Sequence, residues 1–313
     1  MRILITGAFG FLGGRLAQHL QIAGHHIVLG TRKSVGRPDW LPQAAIVQTV
    51  WSDGNALEQI CAETDVVIHA SGMNAQDCTT DPVAALECNG LATAQLVTAA
   101  GRAGVKRFIY ISTAHVYGNQ LHGVITEESC PRNLHPYATS HLAGENVVLS
   151  SSQRGEIEGV VLRLSNAFGP PVVKDVNCWM LLVNDLCRQA VETGEMVLHT
   201  SGQQNRDFIT MSDVCRIVEH VCSCFFDTSS PFIMNVGSGI STSVLEMTRF
   251  IQHRCVCMGF DPVIKRPDED GKKSGELMLY QSDRLVRSGL AIENDRSHEV
   301  DMLLRFCHGF ITK

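Results

Sequence analysis

A glycine-rich turn that follows the first predicted strand constrains the fold of this chain more than any other feature of its sequence. An apolar run at 2–6 leads directly into the turn, whose glycines are Gly7, Gly10 and Gly13, and a helical pattern follows. Glycines at this spacing allow a tight turn, a close approach of the backbone to a ligand, and close packing of a helix on a strand. Together these features predict that a β-α-β unit begins at the N-terminus.

Short apolar runs alternate with helical patterns through the first half of the chain. We predict strands at 2–6, 26–29, 45–50, 65–69, 107–111 and 159–164, and helices at 11–23, 55–62, 81–103 and 137–151. Strands that are apolar almost throughout are typical of a parallel sheet with helices on both faces. The predicted fold class is therefore α/β, with a doubly wound parallel sheet of the Rossmann type.

The alternation ends near residue 165, which predicts a second, smaller domain. Gly169-Pro170-Pro171 predicts a turn. The patterns beyond it predict helices at 178–193 and 211–224, a short strand at 196–199 and a loop over 262–275. We predict a first domain at 1–165 that also takes in about 208–232, and a C-terminal α/β domain formed by 166–207 and 233–313.

The composition and charge of the 313 residues exclude several classes of function. The net charge is -6 and no basic stripe is present, so we expect no nucleic-acid partner. No apolar run reaches the roughly 18 to 20 residues that span a bilayer. The strand predicted at the N-terminus leaves no room for a signal peptide. We therefore expect a cytoplasmic protein with no membrane partner.

The chain has twelve cysteines, and two pairs of them resemble metal ligands at first sight. Cys222 and Cys224, and likewise Cys255 and Cys257, are separated by a single residue. Zinc ligands are usually separated by two residues or more. We therefore predict reduced, mostly buried thiols and no metal site.

The glycine turn opens a helix, and this arrangement is typical of a dinucleotide-binding site. The free N–H groups and the positive dipole at a helix N-terminus bind a pyrophosphate. In an NAD site, an acidic residue at the end of the second strand binds the ribose 2′-hydroxyl. This chain has Arg32 there, and a guanidinium suits a 2′-phosphate. We therefore expect NADP as the cofactor, with NAD as the alternative.

A tyrosine and a histidine one helical turn apart form the second informative pattern. Tyr137 and His141 are four residues apart, so they share one face of the predicted helix. Upstream, the strand predicted at 107–111 leads to Ser112 and Thr113. A hydroxyl and a phenol are suited to exchange a proton with a sugar oxygen while hydride moves at the adjacent carbon. The pattern resembles the Tyr-x-x-x-Lys signature of the short-chain dehydrogenase/reductases, with histidine in place of lysine.

Six ordered motifs extend this resemblance over essentially the whole chain. They are Asn89-Gly90, the run 112–118, the pair at 137 and 141, the run 163–170, the run 206–209 with Asp213-Val214, and the run 235–239. The chain resembles the extended short-chain dehydrogenase/reductases, and within them the nucleotide-sugar epimerase/dehydratase/reductase group. The resemblance implies a substrate-binding C-terminal domain, a nucleotide-activated sugar as substrate, and a homodimer formed through the helices at 81–103 and 137–151.

The resemblance also implies roles for individual residues. Thr113 would bind the reacting sugar oxygen, Tyr137 would act as acid/base, and His141 would bind the nicotinamide ribose. The expected cofactor contacts are Gly7, Gly10, Phe11, Leu12, Gly13, Arg32, His69, Ala70, Ser71, Tyr137 and His141. The expected substrate contacts are Met73, His115, Asn166 and Arg206.

Histidine at position 141 leaves three interpretations open. A phenol titrates near pH ~10 and needs a nearby positive charge to act as a base at neutral pH. Histidine, with an unperturbed pKa of ~6.5, is mostly neutral at pH 7. His141 either replaces lysine as the ribose donor while the oxidised nicotinamide supplies positive charge, or has a raised pKa and relays protons, or marks a dinucleotide-binding protein with weakened catalysis.

The residues after Thr113 bear on the type of reaction. The 4,6-dehydratases of this group carry an acid pair there, whereas this chain has Ala114 and His115, which disfavours dehydration. A 4-ketoreductase and an epimerase use the same catalytic residues, and the NADP signal favours the reductase because epimerases usually retain NAD. The alternatives are a dinucleotide-binding regulatory protein and a reductase of a non-sugar carbonyl. Asn166 and Arg206 argue against the last, because an uncharged substrate has no diphosphate to bind.

Overall fold

The structure is a computed structural model that describes residues 1–224, 232–268 and 278–309. Residues 269–275 of the loop predicted over 262–275 lie outside the described residues. In its described part the prediction is wrong at Val263–Lys265, which form a strand parallel to Glu195–Val197.

The first 168 residues contain eight strands and six α-helices. The strands are β1 (Arg2–Thr6), β2 (His26–Thr31), β3 (Ala45–Gln48), β4 (Val66–His69), β5 (Arg107–Thr113), β6 (Gly123–Ile125), β7 (Glu158–Leu164) and β8 (Asn166–Phe168). The helices are α1 (Phe11–Ile22), α2 (Gly54–Cys61), α3 (Ala75–Thr80), α4 (Pro82–Ala85), α5 (Ala92–Arg102) and α6 (Pro136–Gln153).

The described residues beyond position 168 add shorter strands and further helices. The strands are β9 (Glu195–Val197), β10 (Asn205–Thr210), β11 (Phe232–Val236), β12 (Ser241–Ser243), β13 (Val263–Lys265) and β14 (Met278–Tyr280). The helices are α7 (Leu182–Thr193), α8 (Met211–Ser223), α9 (Val244–Cys257), α10 (Asp283–Arg287) and α11 (Arg296–His308). The helix predicted at 178–193 thus begins four residues later, at Leu182.

Seven strands form one parallel sheet in the order β11-β7-β5-β4-β1-β2-β3. Successive side chains of a strand point to opposite faces. Ile3 and Ile5 accordingly pack with residues of α1 and α8, whereas Leu4 packs with residues of α2 and α5. The predicted doubly wound parallel sheet is confirmed. Strand order reverses between β1 and β4, and ligands of such sheets bind at the carboxyl ends of the strands at this point.

A second group of elements lies beyond the large sheet. Strand β10 pairs in parallel with β8 and antiparallel with β12. A separate apolar cluster joins β10 to α7, α9 and α11. Strand β11, at 232–236, is the edge of the large sheet and crosses the boundary predicted near residue 232. The exact division into two domains stays a prediction.

The helix predicted as continuous over 81–103 is interrupted, and that part of the prediction is wrong. A π-helical segment, Leu86–Leu91, separates α4 from α5. Asn89 lies in this wider turn, and its buried side chain accepts from the backbone N of Met73 (2.8 Å) and donates to Oγ of Ser140 (2.9 Å). π-helical turns are frequent at functional sites. Here the turn connects the loop after β4 with α6.

Helix α6 lies very close to the sheet at Gly144. A Cβ atom there would lie 2.5 Å from both the Tyr110 hydroxyl and the Asn89 carbonyl oxygen, so the neighbours accept only glycine without moving. The next residue, Glu145, is fully buried and pairs with Arg163 of β7 at 2.6 Å. These contacts fix the rotation of α6 about its axis, and thereby the face that it presents to the ends of the strands.

Thiols and possible metal ligands are distributed through the core. All twelve cysteines are free, and eight of them are buried. Within residues 1–224, 232–268 and 278–309, no three His, Cys, Asp or Glu side chains are grouped so that they could hold a metal ion. In the same ranges, every helix is too short or too polar to cross a membrane.

Candidate active site

A cleft of about 480 Å³ lies at the carboxyl ends of the central strands. Predicted cofactor and substrate residues share its walls: Phe11, Leu12, Ala70, Ser71, Met73, Thr113, His115, Tyr137, His141, Asn166 and Arg206. These side chains come from the start of α1, the segments after β4 and β5, the first turns of α6, and strands β8 and β10. The structure therefore brings together residues that are up to 195 positions apart in the chain (206 minus 11).

Tyr137 and His141 lie side by side on α6, as their spacing predicts. Their ring centroids are 4.6 Å apart, with the planes at 72°. The ring of His115 lies 6.3 Å from that of Tyr137. Helix α6 begins at Pro136, and Nδ1 of the capping residue His135 accepts from the backbone N of Tyr137 at 3.1 Å. The helix start thus holds the phenol between two imidazoles.

Thr113 ends β5 and connects the strand to the site. Its buried Oγ1 accepts from the backbone N of His115 at 3.1 Å. Its side chain also lies close enough to the Tyr137 hydroxyl to lower the pKa of the phenol, against the larger effect of burial. An oxygen atom of a ligand that binds Thr113 therefore lies within reach of the Tyr137 hydroxyl.

The protonation states of the site follow from its burial. Burial raises the pKa of Tyr137, and the nearby Thr113 hydroxyl offsets this only in part. Burial, followed by the nearby His115, lowers the pKa of His141 to about 4. Desolvation and then the charge of Arg206 lower the pKa of His115. At neutral pH the site contains a protonated phenol between two neutral imidazoles, so the interpretation that the pKa of His141 is raised is wrong.

His69 belongs to the core and not to the cleft. Its fully buried ring has Oγ1 of Thr6 at 2.6 Å from Nδ1 and Oγ1 of Thr93 at 3.0 Å from Nε2. Burial lowers the pKa of His69 to about 3. The expected contact of His69 with the cofactor is therefore not made by its side chain, because β4 directs that side chain into the packed face of the sheet.

The glycine turn has the shape that a pyrophosphate site requires. Gly7 has φ of +68°, and a Cβ atom there would lie 2.6 Å from the carbonyl oxygen of Ala70. Gly10 is the N-cap of α1, and no side chain caps the helix. The first N–H groups of α1 therefore remain available beside Phe11 and Leu12, which line the cleft. These residues fit the pyrophosphate of a dinucleotide.

Gly13 and Arg32 are the remaining residues of the predicted cofactor set. Gly13 is buried within α1 and lines no part of the cleft. Arg32 is exposed directly after β2, the strand that neighbours β1. The ribose of the adenosine half lies at this position when a dinucleotide binds such a turn. The choice between NADP and NAD stays a prediction.

Arg206 is a cation that lines the cleft. Burial lowers the pKa of its guanidinium. Among the described residues, no hydrogen bond or ion pair of its side chain is found. The two acids that follow it in the sequence are engaged elsewhere, because Asp207 binds Ser238 at 2.9 Å and Asp213 pairs with Arg216 at 2.5 Å. Arg206 is therefore a partly buried cation that faces the cleft.

Asn166 and Met73 complete the predicted substrate set. Asn166 starts β8, and its Nδ2 donates to the backbone oxygen of Asp207 at 2.8 Å. The loop that contains Met73 is held through its backbone N by Asn89. Both residues line the cleft. One wall of the cleft therefore comes from the large sheet and its helices, and the other from the group of elements around β8 and β10.

The sequence did not predict that Tyr110 takes part in the site. The Tyr110 hydroxyl lies 2.9 Å from Nδ1 of His141, and its side chain is fully buried. One feature of the sequence could have indicated this role: a tyrosine lies in the middle of a predicted buried strand, and a buried tyrosine hydroxyl usually has a hydrogen-bond partner. Its partner lies 31 residues away, and only the docking of α6 on β5 brings the two together.

Comparisons with known proteins agree with this geometry. A dTDP-glucose 4,6-dehydratase of Streptomyces antibioticus is 27% identical over 321 residues, which cover 93% of this chain and 90% of that protein. A putative UDP-glucose 4-epimerase of Methanocaldococcus jannaschii is 24% identical over 271 residues, 85% of this chain and 86% of that protein. The structure of MoeE5 in complex with UDP-glucose and NAD matches with a TM-score of 0.79 and 25% identity, covering 99% of this chain and all of that one.

The family itself is identified by a match over most of the chain. Residues 3–237 match the NAD dependent epimerase/dehydratase family. The resemblance to the extended short-chain dehydrogenase/reductases of the nucleotide-sugar group is thereby confirmed, and so is the Rossmann-type architecture. The chain belongs to the NAD-dependent epimerase/dehydratase family.

Proposed function

We propose that this protein reduces the keto group of a nucleotide-activated sugar, as a 4-ketoreductase, with Tyr137 as the proton donor. The observation that carries the proposal is the neutral His141 beside a phenol whose pKa burial raises. Reduction requires a protonated donor, and at neutral pH Tyr137 is protonated in nearly every molecule. Epimerisation begins with removal of a proton from an alcohol, and only a small fraction of the molecules has the phenolate for it.

Each residue has a defined part in the proposed reaction. Thr113 binds the carbonyl oxygen of the sugar, and Tyr137 gives its proton to that oxygen as the carbon is reduced. His141 lies where the ribose next to the nicotinamide would bind. A nicotinamide dinucleotide supplies the hydride when it is bound.

NADP is the proposed form of the cofactor. The exposed Arg32 follows β2 directly, and its neighbours Thr31 and Lys33 include no acid that would bind a ribose 2′-hydroxyl. A planar guanidinium binds phosphate oxygens in pairs, which suits a 2′-phosphate.

We expect the wild-type protein to consume NADPH when it is mixed with nucleotide 4-keto sugars, in a one-to-one ratio with the sugar reduced, and to use NADH more slowly. The protonated Tyr137 and the exposed Arg32 are the reasons. Nicotinamide absorbance and NMR of the sugar product measure the reaction. Interconversion of two nucleotide sugars without consumption of reduced cofactor would make the protein an epimerase. Binding without turnover of any sugar would make it a regulatory dinucleotide-binding protein.

The His141→Lys variant is the matched control for the role of the neutral imidazole. A lysine ammonium beside Tyr137 lowers the pKa of the phenol. The rate of the reverse reaction, oxidation of the sugar alcohol, should therefore reach its maximum at a lower pH than in the wild type. Identical pH profiles of the two proteins would contradict the argument from His141.

Arg206 is proposed to bind the diphosphate of the substrate. Its charge is partly buried and has no counter-ion among the described residues. A buried cation without a partner is costly, and an anionic ligand removes that cost. The guanidinium also lies close enough to His115 to lower its pKa, so the diphosphate would lie beside the reacting sugar.

The Arg206→Met variant is expected to bind nucleoside diphosphates about 10- to 100-fold more weakly, because hydrogen bonds to charged groups contribute about 1.5–3 kcal/mol. Methionine keeps much of the apolar stem and removes the charge. Calorimetric titration with UDP, GDP, CDP and dTDP measures the change. Arg102→Met removes an exposed arginine at the opposite ends of the strands and serves as control. Equal affinities of the Arg206 and Arg102 variants would contradict this assignment.

A homodimer is the proposed assembly, formed through α4, α5 and α6. Val83, Leu86 and Leu91 are apolar and exposed along the first part of this surface. Exposed apolar side chains that cluster on one face are typical of protein–protein contacts. A cytoplasmic location remains the expectation from the sequence.

A further inference from the structure

The buried Tyr110 lies directly beneath the catalytic pair, and the proposed reaction gives it no role. Its side chain is fully buried on the face of the sheet that packs against α5 and α6. Its hydroxyl lies 2.9 Å from Nδ1 of His141, and the two ring centroids are 5.9 Å apart. The close approach at Gly144 presses α6 onto this tyrosine. The contact between Tyr110 and His141 is therefore held by the packing of the helix.

The direction of the hydrogen bond between Tyr110 and His141 follows from the alternatives open to the tyrosine proton. The other acceptor is the carbonyl oxygen of Asn89, 3.4 Å away. O–H···O hydrogen bonds have lengths of roughly 2.5–3.0 Å, so that contact is too long. The same carbonyl already accepts from Oγ1 of Thr93 at 2.7 Å. Thr93 also lies near the Tyr110 oxygen, but no hydrogen bond between the two hydroxyls is found among the described residues, whereas Nδ1 of His141 is 2.9 Å from the Tyr110 oxygen. We therefore assign the Tyr110 proton to Nδ1 of His141.

This assignment determines which nitrogen of His141 carries the ring proton. A neutral imidazole has one N–H donor and one acceptor nitrogen. Because Nδ1 accepts from Tyr110, the proton is on Nε2. A Cβ atom built on Gly72 would lie 3.8 Å from Nε2, and both Gly72 and His141 line the cleft. The Nε2–H group of His141 therefore faces the cleft.

We propose that Tyr110 is a positioning residue, which fixes His141 as an Nε2–H donor to a ribose hydroxyl of the bound dinucleotide. A lysine ammonium has three rotatable donors and needs no such partner. A neutral histidine has one donor, whose place depends on the tautomer. Tyr110 thus supplies the hydrogen-bond partner that fixes the tautomer of a histidine at this position, whereas a lysine would need no such partner. The inference rests on the proposed function, because it assumes that a dinucleotide binds in this cleft.

The protonation of Tyr110 and His141 supports this role over a wide range of pH. Burial raises the pKa of Tyr110 well above its ordinary value, so the hydroxyl remains a donor. Burial, followed by His115, lowers the pKa of His141 to about 4, so Nδ1 remains an acceptor at neutral pH. Several titratable groups act on the pair from the elements packed around it. Glu145, Tyr137 and Cys88 act on Tyr110, and His115 acts on His141. His69 stacks on Tyr110, and Thr93 and Asn89 are the uncharged polar neighbours.

The tautomer of His141 is measured in the free wild-type protein by long-range ¹H–¹⁵N correlation NMR. The signal is assigned by its disappearance in the His141→Gln variant. We expect a neutral ring with the proton on Nε2. A neutral ring with the proton on Nδ1, or a doubly protonated ring at pH 7, would overturn the proposal. This measurement needs no substitution at Tyr110 and no enzymatic activity.

The Tyr110→Phe variant tests whether the tyrosine is the cause. We expect a mixture of tautomers and about 3- to 10-fold weaker binding of NADPH, the factor that one hydrogen bond contributes. The Michaelis constant for NADPH should rise more than kcat falls. Tyr280→Phe is the matched control, because it also removes a buried hydroxyl, bonded to Asn235 and to the backbone of Arg163. We expect the control to keep the tautomer and the affinity of the wild type.

A Tyr110→Phe protein that keeps pure Nε2–H and full affinity would show that Tyr110 has no positioning role. Equal losses of affinity in the Tyr110 and Tyr280 variants would show a general structural effect and would also overturn it. Failure of the proposed sugar reduction is a separate result, because the NMR and binding measurements do not depend on turnover.

Discussion

Replacing Tyr137 with phenylalanine is expected to lower kcat for sugar reduction by about 10²- to 10⁴-fold, the range that a positioned general acid contributes. The substitution removes the hydroxyl that lies near Thr113 and keeps the ring, whose centroid is 4.6 Å from that of His141. Because Tyr137 is only partly buried, the melting temperature should stay close to that of the wild type. Steady-state kinetics and thermal unfolding on the same preparations measure both effects.

The matched control for Tyr137→Phe is Tyr117→Phe. It removes a hydroxyl that donates to Asn235 at 2.7 Å, outside the lining of the cleft, so kcat should change little. For the wild type, the reductive rate should be nearly constant between about pH 6 and pH 9, because His141 is neutral above a pKa of about 4 and the pKa of the phenol lies above ~10. A kcat of the Tyr137 variant near that of the wild type would exclude Tyr137 as the proton donor.

The large sheet could be predicted because its signals are local. Strand β1, the glycine turn and α1 are adjacent in the sequence, and the runs that became β4 and β5 are apolar because both of their faces are covered. The π-helical segment at Leu86–Leu91 could not be predicted in this way. Its cause is tertiary, since Asn89 reaches both the loop after β4 and Ser140 of α6. The short strands of the second group likewise depend on partners distant in sequence.

In the candidate site, too, the features that depend on nearby residues could be predicted, and those that depend on distant residues could not. The spacing of Tyr137 and His141 placed both on one face of a helix, and Thr113 and Arg206 were found through motifs. The state of His141 was not predictable, because it depends on the burial of this side chain between α6 and the sheet and on the Tyr110 hydroxyl of β5. His69 shows the converse, since a polar residue at a strand end lies in the core with both nitrogens bonded.

Replacing Glu145 with glutamine is expected to lower the free energy of unfolding by about 3–5 kcal/mol, the cost of breaking a buried ion pair. The side chains of Glu145 and Arg163 are 0% and 3% exposed, and they are joined at 2.6 Å. Glutamine keeps the shape and removes the charge, so the guanidinium of Arg163 stays buried without a counter-ion. Urea denaturation of the variant and the wild type measures the difference.

Two further variants separate the buried charge from general effects of substitution. Glu145→Leu combined with Arg163→Met removes both charges and should recover most of the loss, because apolar pairs replace buried ion pairs at little cost. Glu195→Gln breaks the exposed pair with Lys265 and should cost about 0–1 kcal/mol. Equal losses in the Glu145 and Glu195 variants would contradict the role of burial.

The same substitution also tests how α6 holds Tyr137 and His141. Glu145 lies four residues after His141 on α6 and fixes the helix against β7 through Arg163. If this pair sets the rotation of α6, the affinity of the folded Glu145→Gln protein for NADPH should fall together with its stability, because the Nε2–H group of His141 moves. Unchanged affinity at a temperature where the variant is folded would instead assign the orientation of α6 to the contact of Gly144 with Tyr110.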